Sequence, residues 1–283
     1  MSKTLLSTPE LSFEARNFAD SIEGVAVRHA EADRWMPGLH ADDRSPELDH
    51  ALEELGWPDL ASDPSLAALV ASAAERLGRV LVSVATIDRL LGAAPLAGDL
   101  ARHPTAGLPL ARPLSTDDGV ELMLYEADHL EPTTYLDAFG VHRAAGLRQV
   151  GSITGGQAAT ALDAWCAAVT GYLAGVARGA LEIAHEHVTS RQAFGQPLSA
   201  LDAVQQLLGE ATMRATGIQL LLGLPASLSS LAYAAEVTND VCATCQQVTG
   251  AIGYTMEFPL QRRYRRASAI SVWTQDWLPR LVA

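Results

Sequence analysis

Apolar residues recur at helical spacing through the N-terminal third of the chain. Phe18, Ile22 and Val25, for example, form one apolar stripe with charged residues between them. Spacing of three and four residues is typical of an amphipathic helix. The pattern predicts helices in three N-terminal segments: 8–34, a short one beginning at Ser45-Pro46, and one or two over 64–91. Residues 1–103 are therefore predicted to form a helical N-terminal domain.

The pattern changes between residues 104 and 151. Helical periodicity is interrupted there by four prolines: Pro104, Pro109, Pro113 and Pro132. The run Val120–Tyr125, VELMLY, alternates in a way typical of a strand. Residues 104–151 are therefore predicted to be a short β-containing middle segment.

Helical patterning returns over residues 152–283. The expected helices lie at about 156–190, 200–223, 227–249 and 260–283. Short connections between them favour an antiparallel bundle. Gly171, Gly175 and Gly179 share one face of the first helix, which permits close helix approach, although each glycine costs up to about 1 kcal/mol relative to alanine. The chain is thus predicted to be mostly α-helical, with this bundle as its C-terminal domain.

Composition narrows the functional classes. The chain has 33 acidic against 20 basic residues, a net charge of -13, which argues for a soluble protein and against a nucleic-acid partner. No stretch approaches the roughly 20 apolar residues of a membrane span, and the Met1 end has no apolar run long enough for a signal peptide. We expect a cytoplasmic protein with no membrane contact.

Cysteine and histidine residues do not predict a metal or redox site. Three cysteines cannot complete a disulfide framework, and Cys242 and Cys245 fall within a predicted helix, where they are interpreted as small buried residues. His185 and His187 are two residues apart on a helix and so point about 200° away from each other. No metal ligand is therefore predicted.

The sharpest local chemistry lies between residues 184 and 208. Arg191, Phe194 and Gly195 form an R-x-x-F-G motif where the helical pattern breaks. Ser199 is placed to cap the next helix, with Asp202 in the capping-box position. Arg191 has two interpretations: a cation that caps the last carbonyls of the preceding helix, or a permanent charge for an anionic ligand.

A second motif, within Gln247–Ala267, reads Q-x-x-G-x-x-G-Y-x-x-E-F-P-x-x-x-x-x-R. Together with R-x-x-F-G-x-P-L, it resembles the C-terminal domain of the acyl-CoA dehydrogenase family. The N-terminal region resembles that family only in its helical character. The resemblance implies an acyl-CoA dehydrogenase-like fold, FAD as cofactor and α,β-desaturation of an acyl-CoA thioester. In that reaction a carboxylate removes a proton from the α-carbon and flavin N5 accepts a hydride from the β-carbon.

The resemblance also implies which residues bind the cofactor. In that family the two motifs reach the pyrophosphate and adenosine end of a neighbouring subunit's FAD, while a larger middle domain holds the flavin ring. The implied cofactor-binding residues are Arg191, Phe194, Gly195, Gln247, Gly250 and Gly253. A guanidinium suits a diphosphate because it offers paired donors, and glycines permit close backbone approach. Two departures are Ala251, in place of a second glycine, and Asp202, in place of the usual glutamine.

No catalytic residue is predicted. Aligned with the family, the usual base position falls at Thr274 and the alternative position at Trp165, and neither holds a carboxylate. Asp163 lies two residues from Trp165 and so faces another side of the helix, and Asp276 is no better placed. The middle segment also lacks the family's flavin-binding motif.

These features predict a non-catalytic-type subunit of a heteromeric FAD-dependent acyl-CoA dehydrogenase. A homologous catalytic partner, in an α2β2 assembly, would supply the base and bind most of the acyl-CoA. The resemblance points to bacterial enzymes that act on steroid-derived CoA thioesters. Two alternatives stay open: a homo-oligomeric enzyme with an unorthodox base, and a flavin-free scaffold or interaction protein on the same fold.

Overall fold

The computed structural model describes residues 13–30, 45–104, 107–117, 119–133 and 141–282. Helices occupy both ends of the described chain, and a seven-stranded sheet lies between them in sequence. The described α-helices are α1 (Phe13–Ala30), α2 (Pro46–Glu54), α3 (Ala67–Arg79), α4 (Ala85–Asp88), α5 (Gly155–Ser190), α6 (Asp202–Leu221), α7 (Leu228–Thr249) and α8 (Leu260–Val282). The predicted mostly helical fold is confirmed.

The N-terminal helices follow the predicted pattern. α1 lies within the predicted segment 8–34, both ends of which fall outside the described residues. Ser45 begins α2 as predicted, because its Oγ accepts a hydrogen bond from the Leu48 N–H at 3.3 Å. The predicted stretch 64–91 contains α3 and α4, separated by a sharp break at Leu81, whose φ is +59°.

The sheet contains the predicted strand. Its strands are β1 (Ala94–Ala97), β2 (Leu100–Arg102), β3 (Leu110–Thr116), β4 (Gly119–Glu126), β5 (His129–Pro132), β6 (Val141–Ala145) and β7 (Arg148–Ile153). They are ordered β5-β6-β2-β1-β3-β4-β7. β1 and β3 are parallel, and the other neighbours are antiparallel. The alternating run Val120–Tyr125 lies within β4, as predicted.

Two strands lie where helix was predicted. β1 and β2 occupy residues 94–102, so the sheet begins before residue 104 and inside the region expected to be helical. Gly92, with φ +69°, ends the preceding 3-10 turn, and Gly98, with φ +59°, lies in the turn between the two strands. Both strands are short and carry no β-branched residue, so they give almost no strand signal in the sequence.

α5 is the central helix of the fold, and its glycines permit the predicted close packing. A Cβ added at Gly171 would lie 2.0 Å from the Ala71 carbonyl oxygen, and one at Gly175 would lie 2.0 Å from the Glu75 carbonyl oxygen. Real Cβ atoms do not approach so closely, so α3 and α5 touch backbone to backbone. The third glycine of the face, Gly179, packs instead against the Arg263 guanidinium of α8.

α5 to α8 form the C-terminal bundle. Short turns join α6 to α7 and α7 to α8, so consecutive helices run in opposite directions. The α5–α6 turn and the α7–α8 turn therefore lie at one end, which we call the motif end. A contact confirms this placement: the rings of His187 in α5 and Phe258 after α7 are 5.7 Å apart, edge to face.

The predicted cap at the start of α6 is wrong. α6 begins at Asp202, its N-cap residue is Leu201, and no side chain caps it. A small hairpin and a 3-10 turn at Leu198–Ala200 occupy the positions between the helices, which places Ser199 outside the cap. The Ser199 carbonyl instead accepts a hydrogen bond from Gln205 Nε2 at 2.9 Å.

Candidate functional site

The R-x-x-F-G motif folds as a tight hairpin at the motif end. β8 (Gln192–Ala193) pairs with β9 (Gln196–Pro197). The two residues between them, Phe194 and Gly195, both have positive φ, +54° and +80°. This is the backbone of a type I′ turn, in which phenylalanine is an unusual residue with a cost of roughly 1–2 kcal/mol. The Phe194 ring is nevertheless 90% exposed. Strain that displays an aromatic ring to solvent is typical of a binding position.

Arg191 ends α5 through its backbone. Its N–H donates to the His187 carbonyl at 2.8 Å. Other carbonyls of the last turns accept from the Thr189 and Ser190 hydroxyls. Among the described residues the exposed Arg191 guanidinium makes no hydrogen bond or ion pair. The side chain therefore does not cap the helix and is available to an external anion.

The second motif forms the turn after α7, and its glycines have backbone roles within that turn. Gly250 has φ +69°, and its N–H donates to the Gln246 and Gln247 carbonyls. A Cβ at Gly253 would lie 2.2 Å from Thr249 Oγ1, so no larger residue fits there. The Gly250 N–H is thus already used. What this turn offers a ligand is exposed surface without a side chain, next to the exposed Gln247 side chain.

The structure places the six implied cofactor-binding residues in two turns at the motif end. Three belong to the hairpin after α5, and three belong to the end of α7 and the turn that follows. The second turn also exposes three large apolar side chains: Ile252, Tyr254 and Met256. Exposed apolar side chains grouped in one turn are typical of an interaction surface.

The two positions at which acyl-CoA dehydrogenases carry the catalytic base correspond to Thr274 and Trp165, and both lie in the interior of this chain. Thr274 is 4% exposed and Trp165 is 3% exposed. The Thr274 hydroxyl donates to the Ile270 carbonyl at 2.9 Å. Both residues line a single cavity of about 10 Å³. Small-molecule pockets have volumes of roughly 300–1,000 Å³. This cavity therefore cannot receive an acyl chain.

Aromatic side chains fill the space around this cavity. The Trp165 and Trp277 rings pack with centroids 5.0 Å apart. The Arg102 guanidinium lies 5.1 Å from the centre of the Trp273 ring, at cation–π distance. Tryptophan side chains thus fill the space around Thr274 and Trp165, the two positions that lack a carboxylate.

A buried ion pair supports these tryptophans. Arg102 donates through Nε and NH2 to the Asp88 carboxylate at 2.8 and 2.6 Å, and Trp165 Nε1 donates to the same carboxylate at 3.1 Å. Three buried hydrogen bonds thus hold the Asp88 carboxylate against Arg102 and Trp165. Sequence reasoning missed this pair, because no local pattern marks residues that meet only when β2 folds back over α4.

Asp163 and the three cysteines do not form a reactive site. Asp163 is exposed and does not line the cavity, and partial burial raises the pKa of its carboxyl. Burial raises the pKa of the Cys166 and Cys245 thiols to about 12, and also raises that of Cys242. The interpretation of the cysteines as small buried residues is confirmed. In the described part of the chain no three histidine, cysteine or acidic residues are grouped to hold a metal ion.

Comparisons with known proteins show which family the C-terminal part of the chain is similar to. Residues 155–274 match the family profile described as "Acyl-CoA dehydrogenase, C-terminal domain". Caffeyl-CoA reductase-Etf complex subunit CarC of Acetobacterium woodii is 29% identical over 111 residues, covering 35% of this chain and 29% of CarC. The match thus spans less than a third of that relative's length.

Two solved structures share the fold over nearly the whole chain. One, a variant of the Tcur3481-Tcur3483 steroid ACAD, has a TM-score of 0.67 and 18% identity, covering 95% of this chain and 97% of that one. The ChsE4-ChsE5 complex from Mycobacterium tuberculosis gives a TM-score of 0.68 and 16% identity, covering 96% of each chain. Residues 155–274 therefore match the C-terminal domain of acyl-CoA dehydrogenases, and the chain has the acyl-CoA dehydrogenase-like fold. No described helix has the length and hydropathy needed to span a bilayer.

Proposed function

We propose that this chain is the non-catalytic subunit of a heteromeric FAD-dependent acyl-CoA dehydrogenase. It contributes the pyrophosphate and adenosine side of an FAD site held mainly by a homologous partner. That partner supplies the base and binds most of the acyl-CoA thioester. The assembly is an α2β2 heterotetramer, and a steroid-derived acyl group is the favoured substrate.

The observation that carries the proposal is the contrast between the two regions of the chain. The interior holds Thr274 and Trp165 at the base positions, around a cavity of about 10 Å³. The motif end, in contrast, exposes Phe194 and an Arg191 that has no partner among the described residues. A chain that kept no function on this fold would have no need of a strained, exposed aromatic turn. Catalysis at the family's base positions would need a carboxylate and room for substrate, and the cavity at Thr274 and Trp165 provides neither.

The motif end fits the phosphate side of FAD. The Arg191 guanidinium is permanently charged and can pair with a diphosphate through two donors. Phe194 offers a flat apolar surface beside it, and Gly250 leaves that part of the turn without a side chain. When bound, the flavin supplies the hydride acceptor for desaturation. The residues of this chain bind and orient the cofactor and take no part in proton transfer.

The partner is inferred from two sources. The structural relatives include a ChsE4-ChsE5 complex and a Tcur3481-Tcur3483 steroid ACAD, both named as pairs of unlike proteins. In this chain, Ile252, Tyr254 and Met256 are exposed beside the cofactor-binding turns. A homologous subunit that covers these side chains would bring its own flavin against Arg191.

The test is to purify the chain alone and with a neighbour-encoded acyl-CoA dehydrogenase chain, and to record the flavin absorbance bands and turnover of acyl-CoA thioesters. We expect the isolated chain to be colourless or weakly yellow and inactive, and the pair to hold FAD and turn over. Full FAD occupancy with turnover by the isolated chain would contradict the proposal and favour a homo-oligomeric enzyme. If the two chains form a stable pair but the partner alone has the same FAD content and activity as the pair, the scaffold alternative is favoured.

A further inference from the structure

Four buried tryptophans carry indole N–H groups into the described interior. Three have protein acceptors: Trp57 donates to the Thr86 carbonyl at 2.8 Å, Trp165 to Asp88 Oδ1 at 3.1 Å, and Trp277 to the Leu96 carbonyl at 3.2 Å. The fourth, Trp273, is 5% exposed, and its Nε1 has no hydrogen-bond partner among the described residues. Buried N–H groups in native proteins nearly always have a partner, and where no protein acceptor is present an ordered water takes that place.

The side chain of Trp273 borders the cavity of about 10 Å³ described above. Trp273 and Thr274 both line it. The Thr274 hydroxyl uses its hydrogen in the bond to Ile270, so its oxygen lone pairs are left to accept. One water molecule needs a cavity of about 10–15 Å³ and at least two polar partners. The cavity meets the volume requirement at its lower limit, and Trp273 Nε1 and Thr274 Oγ1 are two polar atoms that its lining residues offer.

We propose that this cavity is a binding site for a single buried water molecule. The water accepts a hydrogen bond from Trp273 Nε1 and donates one to Thr274 Oγ1. Tyr172 and Arg102 also line the cavity. The inference concerns only the interior of this chain and does not depend on FAD or on a partner.

The water is detected by proton magnetisation transfer from bulk water to the indole N–H groups of ¹⁵N-labelled protein. Each indole signal is assigned by its loss in the corresponding Trp→Phe variant. We expect a direct cross-peak with water at Trp273 and none at Trp57, Trp165 or Trp277, which serve as internal controls with the same burial and chemistry. Absence of a cross-peak at Trp273 would overturn the proposal.

Thr274→Val tests the second partner. Valine keeps the shape of threonine and removes the acceptor, so the Trp273 cross-peak should fall severalfold while the other three indole signals keep their positions. A Trp273 cross-peak of unchanged intensity in that variant would remove Thr274 from the site. A crystal structure then decides directly: ordered oxygen density within hydrogen-bond distance of Trp273 Nε1 is expected, and a dry cavity would contradict the proposal whatever the spectra show.

Discussion

Thr274→Glu restores a carboxylate at the usual base position of the family, and we expect it to cost stability without giving activity. Thr274 lines a cavity of about 10 Å³ and is almost fully buried. A glutamate side chain is larger than threonine and must displace Trp165 or Trp273. Overpacking costs about 1–3 kcal/mol, and a buried polar group without partners costs about another 1–3 kcal/mol. The expected loss is therefore about 2–6 kcal/mol.

The assay combines unfolding and turnover on the isolated chain. Each kcal/mol lowers Tm by about 2–4 °C for a chain of this size, so we expect a decrease of about 4–24 °C. Acyl-CoA oxidation should stay at background. Thr216→Glu is the matched control, because the Thr216 hydroxyl makes the same kind of bond to a carbonyl four residues earlier, that of Thr212, but on the exposed side of α6. That substitution should change stability by less than about 0.5 kcal/mol.

One outcome of this experiment would contradict the reasoning. If Thr274→Glu unfolds like its control and the isolated chain gains turnover with added FAD, then the interior opens to admit flavin and substrate. The reasoning from the closed cavity would then be wrong.

Three further predictions follow from the packing. Gly175→Ala should destabilise the chain strongly, since its Cβ would meet an α3 carbonyl oxygen at 2.0 Å, whereas Gly209→Ala, with nothing within 4 Å, should be neutral or stabilising by up to about 1 kcal/mol in chemical denaturation. Arg102→Leu should cost about 3–5 kcal/mol because Asp88 is left charged and buried, and the double variant with Asp88→Leu should recover part of this. The thiols should resist a thiol reagent at pH 8 until the protein unfolds, because burial raises the pKa of Cys166 to about 12. Since unfolded thiols ionise near pH 9 while folded ones stay protonated, this contribution to stability is full below that pH and should be lost as pH rises above it.

The helical parts of the fold were predictable because long periodic patterns and caps act locally. Ser45 caps α2 and the run around Leu122 forms β4, each from a signal within a few residues. β1 and β2 were not predictable in this way. Their stability comes from neighbours far along the chain, β3 and β6, and not from their own composition.

The candidate site was likewise predictable only where local sequence determines it. The R-x-x-F-G motif identifies Arg191 and Phe194, but nothing in it indicates that Phe194 adopts a left-handed conformation. Nor does it indicate that Ser199 lies before the start of α6 and does not cap that helix. The empty base positions were visible in the sequence. That they meet around one closed cavity, supported by Asp88 and Arg102, follows only from tertiary contacts.

The most direct test of the account is FAD dissociation from the two-chain complex carrying Arg191→Ala. A charge-assisted bidentate contact is worth about 1.5–3 kcal/mol, so FAD affinity should fall about ten- to hundredfold while the melting temperature of the subunits is unchanged. Arg191→Lys should recover only part of the loss. Arg214→Ala, which removes an exposed arginine paired with Asp240 on α6 and α7, is the control and should leave FAD affinity unchanged. Unchanged FAD dissociation with a lowered melting temperature in Arg191→Ala would make Arg191 a structural residue and contradict a cofactor site at the motif end.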